Sequence, residues 1–136
     1  MKYGIEEINY INFMERVTKT KVKDCYIDKK GILTFITDEG EIGRAIGKAG
    51  SNIKKVAASL KKQIKVVEFN KIPEKFVENL INPIKGKVYK DEKGTILIEV
   101  KGLSDKANLL GKNKQNLVDL NELVKKYFKN IEIKVV

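Results

Sequence analysis

The predicted fold depends most on one stretch of sequence, Ile42-Gly43-Arg44-Ala45-Ile46-Gly47-Lys48-Ala49-Gly50-Ser51-Asn52-Ile53-Lys54-Lys55. Its apolar residues fall at helical spacing on both sides of a turn, so they predict two short helices. Two glycines bracket a lysine and a small residue at that turn. Such a turn exposes backbone N–H groups where no side chain blocks an approaching phosphate. The stretch therefore indicates a nucleic-acid backbone as the ligand.

The composition of the chain favours a polyanionic partner. Its 136 residues suffice for one ordinary domain or two very small ones, and the net charge is +10. A strongly basic surface attracts RNA, DNA or an anionic membrane. On composition alone, a charge that serves only solubility is an equally good interpretation.

Several chemistries are disfavoured by the residues that the chain lacks. It has no histidine, which is the commonest general base and the commonest metal ligand. The single cysteine, Cys25, can form neither an internal disulfide nor a Cys–His nucleophile. We therefore expect no enzyme, no catalytic residue, no metal and no cofactor.

The chain is expected to be cytoplasmic. A lone cysteine fits a reducing compartment, and the start Met1–Glu7 has acidic residues where a signal peptide needs an apolar core. No apolar run approaches the length of a membrane span, so no membrane partner is expected.

The chain repeats itself weakly, and the repeat predicts two units. Asp28–Leu33 resembles Asp91–Leu97, and the closing strand around Ile64–Phe69 resembles Ile131–Val136. Gly47-Lys48 and Asn52-Ile53 recur 64 positions later as Gly111-Lys112 and Asn116-Leu117. The boundary is expected near Asn70-Lys71-Ile72-Pro73.

Each half predicts the order helix, strand, strand, helix, helix, strand. In the first half, a predicted helix faces the core with Tyr10, Phe13, Met14 and Val17. Two strands follow, Val22–Ile27 and Ile32–Thr37, joined by a turn at Asp28–Gly31. Two helices are then predicted around Gly47–Gly50. In the second half, a helix is predicted from Pro73 to Pro83, followed by strands at Ile84–Tyr89 and Ile96–Val100. A short helix, Asp105–Leu110, is predicted with Ser104 as its cap. The long helix that follows is lined by Leu117, Leu120, Val124 and Phe128.

Spacing excludes two other glycine motifs. A Walker A loop needs four residues between its first glycine and Gly-Lys, followed by Ser or Thr. Here three residues separate Gly43 from Gly47, and Ala49 follows Lys48. A dinucleotide fingerprint would need glycine where Ala45 stands.

What remains, an Ile-Gly-x-x-Gly turn between two short helices, resembles the KH domain of RNA-binding proteins. A helix and a strand ahead of the core elements resemble its type II form. Two such units in a small basic chain resemble the archaeal NusA-like transcription termination/antitermination factors. The resemblance implies an α/β (α+β) fold of two tandem type II KH domains, each with a mixed three-stranded sheet packed by helices on one face. Residues 1–70 would hold the intact GxxG loop, and residues 71–136 a degenerate GKNK loop.

The resemblance also implies a function and its partners. The chain would bind single-stranded RNA during transcription elongation and termination by clamping the RNA backbone at the GxxG loop. RNA polymerase is a further expected partner, and no small-molecule substrate is expected. A tandem KH factor in ribosome maturation or RNA processing, and a protein-interaction module, remain as alternatives.

The candidate site lies around the two glycine turns. The expected RNA-binding residues are Arg44, Ile46, Gly47, Lys48, Ala49, Gly50, Asn52, Ile53, Lys54 and Lys55. A weaker second set comprises Gly111, Lys112, Asn113, Lys114, Gln115 and Asn116. Lys114 stands where the second glycine would be, so its Cβ is expected to block close approach of a phosphate or to force a different turn. A second unit without a clamp of its own is an equal alternative.

Overall fold

The computed structural model describes residues 5–28 and 30–136 of a chain that divides into two compact units, Met1–Asn70 and Lys71–Val136. Both units follow the predicted order of helix, strand, strand, helix, helix, strand. The α+β class is confirmed. Lys29 of the first predicted turn, and Met1–Gly4 of the predicted N-terminal segment, lie outside the described residues.

The first unit builds a mixed sheet beneath its helices. It consists of α1 (Ile5–Thr18), β1 (Val22–Ile27), β2 (Leu33–Thr37), α2 (Ile42–Ile46), α3 (Ser51–Leu60) and β3 (Ile64–Glu68). The central strand β2 pairs antiparallel with β1 and parallel with β3, and all its residues are buried. Leu33 and Phe35 of β2 share one core with Met14 of α1, Ala45 of α2 and Val56 of α3. This core holds α2 and α3, and the turn between them, against the sheet.

The second unit repeats the same plan. It consists of α4 (Pro73–Ile81), β4 (Lys87–Lys90), β5 (Ile96–Glu99), α5 (Leu103–Leu110), α6 (Gln115–Lys125) and β6 (Ile133–Val135). β5 is central, antiparallel to β4 and parallel to β6. Phe76 of α4 packs edge-on against Tyr127, with 5.8 Å between ring centroids.

Matching aspartates form the turns of the two hairpins. Asp28 Oδ1 accepts hydrogen bonds from the N–H groups of Lys30 and Ile32, at 2.8 and 3.0 Å. Asp91 Oδ1 accepts the equivalent bonds from Lys93 and Thr95, both at 2.9 Å. These bonds tie the turn to the start of the next strand.

Two predictions at the start of second-unit elements are wrong. β4 begins at Lys87 rather than Ile84, because the N–H of Ile84 donates to the carbonyl of Ile81 at 2.9 Å and continues the turn after α4. Ser104 does not cap α5, because the helix already begins at Leu103 with Gly102 as its N-cap residue.

Two predictions near the C-terminus also need correction. α6 ends at Lys125, so Phe128 is not on the helix, and it packs instead against Phe76 at 6.2 Å between ring centroids. β6 begins at Ile133 rather than Ile131. Asn130 has a left-handed φ of 62°, so the chain turns there before strand pairing starts.

Candidate nucleic-acid interface

The turn between α2 and α3 is a tight backbone loop with three left-handed φ angles. Gly47 has φ 76° and ψ 170°, Ala49 has φ 55° and ψ 29°, and Gly50 has φ 75° and ψ 17°. The N–H of Gly47 donates to the Gly43 carbonyl at 2.9 Å, and that of Gly50 donates to the Gly47 carbonyl at 3.1 Å. The described hydrogen bonds leave the N–H groups of Lys48 and Ala49, both on exposed residues, without an acceptor. The loop therefore offers two adjacent donors to a ligand.

The side chain of Asn52 holds the loop in place by a hydrogen bond, which we call the lock. Its Nδ2 donates to the carbonyl of Arg44 at 2.7 Å, across the turn from α3 to α2. A Cβ added at Gly47 would lie 2.9 Å from each of Asn52 Cγ, the Asn52 backbone nitrogen and Ser51 Oγ, which is closer than real Cβ contacts. Gly47 is therefore required by the packing of the first turn of α3, which includes the Asn52 side chain, as well as by its backbone angles.

Gly50 is favoured for a different reason. The nearest atom to a Cβ built on Gly50 is Lys54 Cε, at 3.8 Å, so a side chain has room there. Only its φ of 75° disfavours other residues, at a cost of about 1–2 kcal/mol. The side chain of Lys54 also lies beside the loop.

The second loop has the same geometry. Gly111 has φ 72° and ψ 176°, Asn113 has φ 55° and ψ 31°, and Lys114 has φ 60° and ψ 22°. Asn116 Nδ2 donates to the carbonyl of Asn108 at 2.9 Å, which repeats the lock of the first loop. The N–H of Lys114 donates to the Gly111 carbonyl at 3.1 Å, as in the first loop.

The expectation that Lys114 forces a different turn is therefore wrong. The equivalent position, Gly50, has open space around its Cβ, so a lysine fits there at the cost of a left-handed φ. Gly111 is retained because an added Cβ would lie 2.5 Å from Asn116 Cγ. The lock requires the first glycine of each loop, and it does not require the second.

Basic side chains surround the first loop. Lys48, Lys54 and Lys55 are exposed. The side chain of Arg44 is 64% exposed, and its Nη1 lies 3.5 Å from Glu41 Oε2 and donates to the carbonyl of Lys19 at 3.2 Å. Arg44 is thus partly engaged within the unit.

The second loop has its charges in different places. Lys112 and Lys114 in the loop are exposed, but the positions equivalent to Lys54 and Lys55 are Val118 and Asp119. Asp119 accepts a hydrogen bond from Gln115 Nε2 at 2.8 Å. The amides of Gln115 and Asn116 thus already donate within the unit, whereas the sequence predicted them as ligand donors.

Ile46 and Ile53, expected to line a groove, are half-buried at the end of α2 and in the first turn of α3. Ile46 directly precedes the loop in the chain, and Ile53 follows its last glycine by three residues. The structure thus gathers all ten predicted residues of the first site into one helix–loop–helix segment.

Burial shifts two pKa values within the first sheet. It raises the pKa of Tyr26 in β1 to about 12, and a hydrogen bond with Thr34 partly offsets the effect. Burial also lowers the pKa of Lys65 in β3, against the attraction of Asp28. Both groups belong to strands rather than to the loop.

Residues 5–28 and 30–136 contain neither a candidate metal site nor a candidate membrane span. No group of three His, Cys, Asp or Glu side chains there is placed to hold a metal ion. In the same part of the chain, no helix has the length and apolar character needed to cross a membrane.

Comparison with known proteins identifies the family. The model of the KH domain matches residues 7–83. The "Probable transcription termination protein NusA" of Methanocaldococcus jannaschii is 28% identical over 134 residues, which cover 96% of this chain and 73% of that protein. The protein of the same name from Halobacterium salinarum is 27% identical over 120 residues, covering 87% of this chain and 86% of that one.

A solved structure is similar over nearly the whole chain. The crystal structure of APE1850 matches with a TM-score of 0.67 and 30% identity, covering 97% of this chain and all of that one. The resemblance to archaeal NusA proteins that the sequence predicts is confirmed. The chain belongs to the KH domain family.

Proposed function

We propose that this chain is a non-enzymatic, cytoplasmic factor that binds single-stranded RNA during transcription and holds the RNA backbone at the Gly47–Gly50 loop. The observation that carries the proposal is the pair of adjacent N–H donors at Lys48 and Ala49, on a loop that Asn52 holds rigid. Donors fixed before binding lose little conformational freedom when a phosphate arrives.

Three features of the loop favour a phosphate as its ligand. The two N–H groups donate to the phosphate oxygens, and Lys48 adds a mobile positive charge beside them. The N-terminus of α3 directs its partial positive charge towards the same place, since the helix begins at Ser51. Arg44, Lys54 and Lys55 extend the positive field, and Ile46 and Ile53 provide an apolar wall for unstacked bases.

Both units are proposed to be type II KH domains, residues 1–70 and 71–136. The second loop has the geometry of the first, so Lys112, Asn113 and Lys114 can also hold a phosphate. Asp119 and Val118 replace two lysines there, and the positive field is correspondingly smaller. We therefore assign the second loop to the same ligand with lower affinity.

The process is inferred from the relatives. Proteins similar over most of this chain are named as probable transcription termination proteins. RNA emerging during transcription is single-stranded, which suits a clamp that reads a backbone. RNA polymerase is the proposed protein partner, and co-purification with polymerase rather than with ribosomal precursors tests that part.

The clamp is tested by replacing Lys48 and Ala49 with aspartate and measuring RNA binding by fluorescence anisotropy at several salt concentrations. Each phosphate contact with a single strand contributes about 0.7 to the slope of log affinity against log salt. We expect the double variant to lose at least tenfold in affinity and to show a shallower slope. Negative charge at the loop repels the phosphate, and the turn itself can still form.

A matched control changes the same charge elsewhere. Lys93→Asp with Lys101→Ala also removes three units of positive charge, on exposed residues of the second unit. The control should keep the slope of the parent chain apart from a small general effect of net charge. Equal losses in the two variants would show that the loop is not the clamp.

A further inference from the structure

The side-chain amide of Asn121, in α6, occupies both backbone polar groups of one residue in the neighbouring strand. Its Oδ1 accepts from the N–H of Ile133 at 2.8 Å, and its Nδ2 donates to the carbonyl of Ile133 at 3.1 Å. The same Nδ2 donates to the carbonyl of Leu117 at 3.0 Å. The amide thus pairs with Ile133 as a neighbouring strand would.

Ile133 directs these groups away from its own sheet. β6 is an edge strand, in the order β4-β5-β6. On its inner side, Glu132 accepts from the N–H of Ile96 at 2.8 Å, and Val136 donates to the carbonyl of Ile98 at 2.9 Å. Alternate residues of a parallel strand direct their backbone groups to opposite sides, so those of Ile133 point outwards. Asn121 closes this edge at Ile133.

Among the described residues of the first unit, none closes the equivalent edge in this way. β3 is the edge strand there, and Gln63 and Phe69 on either side of it bond towards β2. Ile64 and Val66 therefore direct their N–H and C=O groups outwards, and no bond to these groups occurs among the described residues. The residue 64 positions before Asn121 is Ala57, which has no polar side-chain atom.

Each edge strand packs against the two helices that flank a loop, β3 against α2 and α3, and β6 against α5 and α6. Asn121 lies six residues beyond the start of α6, about 9 Å along the helix axis. Ala57 lies six residues beyond the start of α3. A single strand whose phosphates rest on a loop would bring its bases past the edge, and base edges carry the donors and acceptors that an open strand seeks.

We propose that Asn121 prevents the second unit from reading bases, so that base selection by this chain comes from the open edge of β3. This inference rests on the proposed function and deepens it. At β3, the outward groups of Ile64 and Val66 hydrogen-bond the bases of RNA held at the first loop. At β6 the amide already satisfies those groups, so the second unit holds RNA by its backbone alone. Asn121 is a positioning residue for specificity.

Two opposite substitutions, Asn121→Ala in the second unit and Ala57→Asn in the first, test the proposal on the full chain. Affinities are measured for octamers of adenylate, cytidylate and uridylate at several salt concentrations. Asn121→Ala is made in the Lys48→Asp, Ala49→Asp background, where the second loop dominates binding. We expect the ratio between the best and the worst octamer to rise about fivefold, the effect of one net hydrogen bond, with the salt slope unchanged. Ala57→Asn in the parent chain should lower that ratio.

The control is Asn108→Ala, an exchange of the same kind in the same unit that leaves the Asn121 amide in place. Thermal melts establish that each variant is folded. Unchanged octamer ratios with an intact salt slope would overturn the proposal while the clamp still stands. Self-association of the Asn121→Ala variant with unchanged ratios would also overturn it, and would assign the amide to keeping strand edges of two copies apart. A parent chain without salt-dependent binding would instead contradict the clamp.

Discussion

The two glycines of the first loop are glycines for different reasons. Gly47 has a backbone conformation that other residues avoid, and atoms of Ser51 and Asn52 are packed where its Cβ would be. Gly50 has only the backbone requirement, and the second unit has Lys114 in its place with nearly the same angles. Packing at the start of the helix after each loop, with the asparagine side chain as a shared part, thus decides which glycine is indispensable.

Alanine substitutions should separate these two reasons. Gly47→Ala should lower the free energy of unfolding by about 3 kcal/mol, because backbone strain and clashes with Ser51 and Asn52 add together. Gly50→Ala should cost about 1 kcal/mol, because only the left-handed φ is affected. Chemical denaturation of the two variants measures the difference. Equal losses would contradict the lock.

At the scale of elements, the sequence predicts what local chemistry determines. The recurring aspartate and glycine of the hairpins, and the glycine turn between helices, specify conformation within a few residues. The sequence misses what depends on distant contacts. Nothing near Asn121 reveals that its partner is Ile133, twelve positions later. For the lock by Asn52, the sequence contains one clue: an asparagine recurs five residues after the first glycine of each loop.

The aspartate of each hairpin is expected to stabilise its unit. Asp91→Ala removes the acceptor of two backbone hydrogen bonds and should lower the free energy of unfolding by about 1–2 kcal/mol. Glu92→Ala, at an exposed neighbour, should change it by less than about 0.5 kcal/mol. Urea unfolding of both variants provides the measurement. A loss from Glu92→Ala as large as that from Asp91→Ala would contradict the role of the turn.

Across the whole molecule, the two units carry the same net charge but place different charges beside their loops. Each unit carries 14 basic and 9 acidic side chains. The first unit places Lys54 and Lys55 directly after its loop, where the second has Val118 and Asp119. Charge close to a phosphate contributes most, because salt screens interactions beyond about 10 Å. Two loops of one geometry are therefore expected to bind one ligand with different strength.

Amide NMR is the sharpest test of whether the free N–H groups of the first loop hold RNA phosphates. A short single-stranded RNA is added to the isotope-labelled chain, and the backbone amide signals are followed. We expect the largest shifts at Lys48 and Ala49, smaller ones at Lys112 and Asn113, and a decrease of both as salt rises. Shifts concentrated in α1 or β1, with both loops unmoved, would contradict the claim.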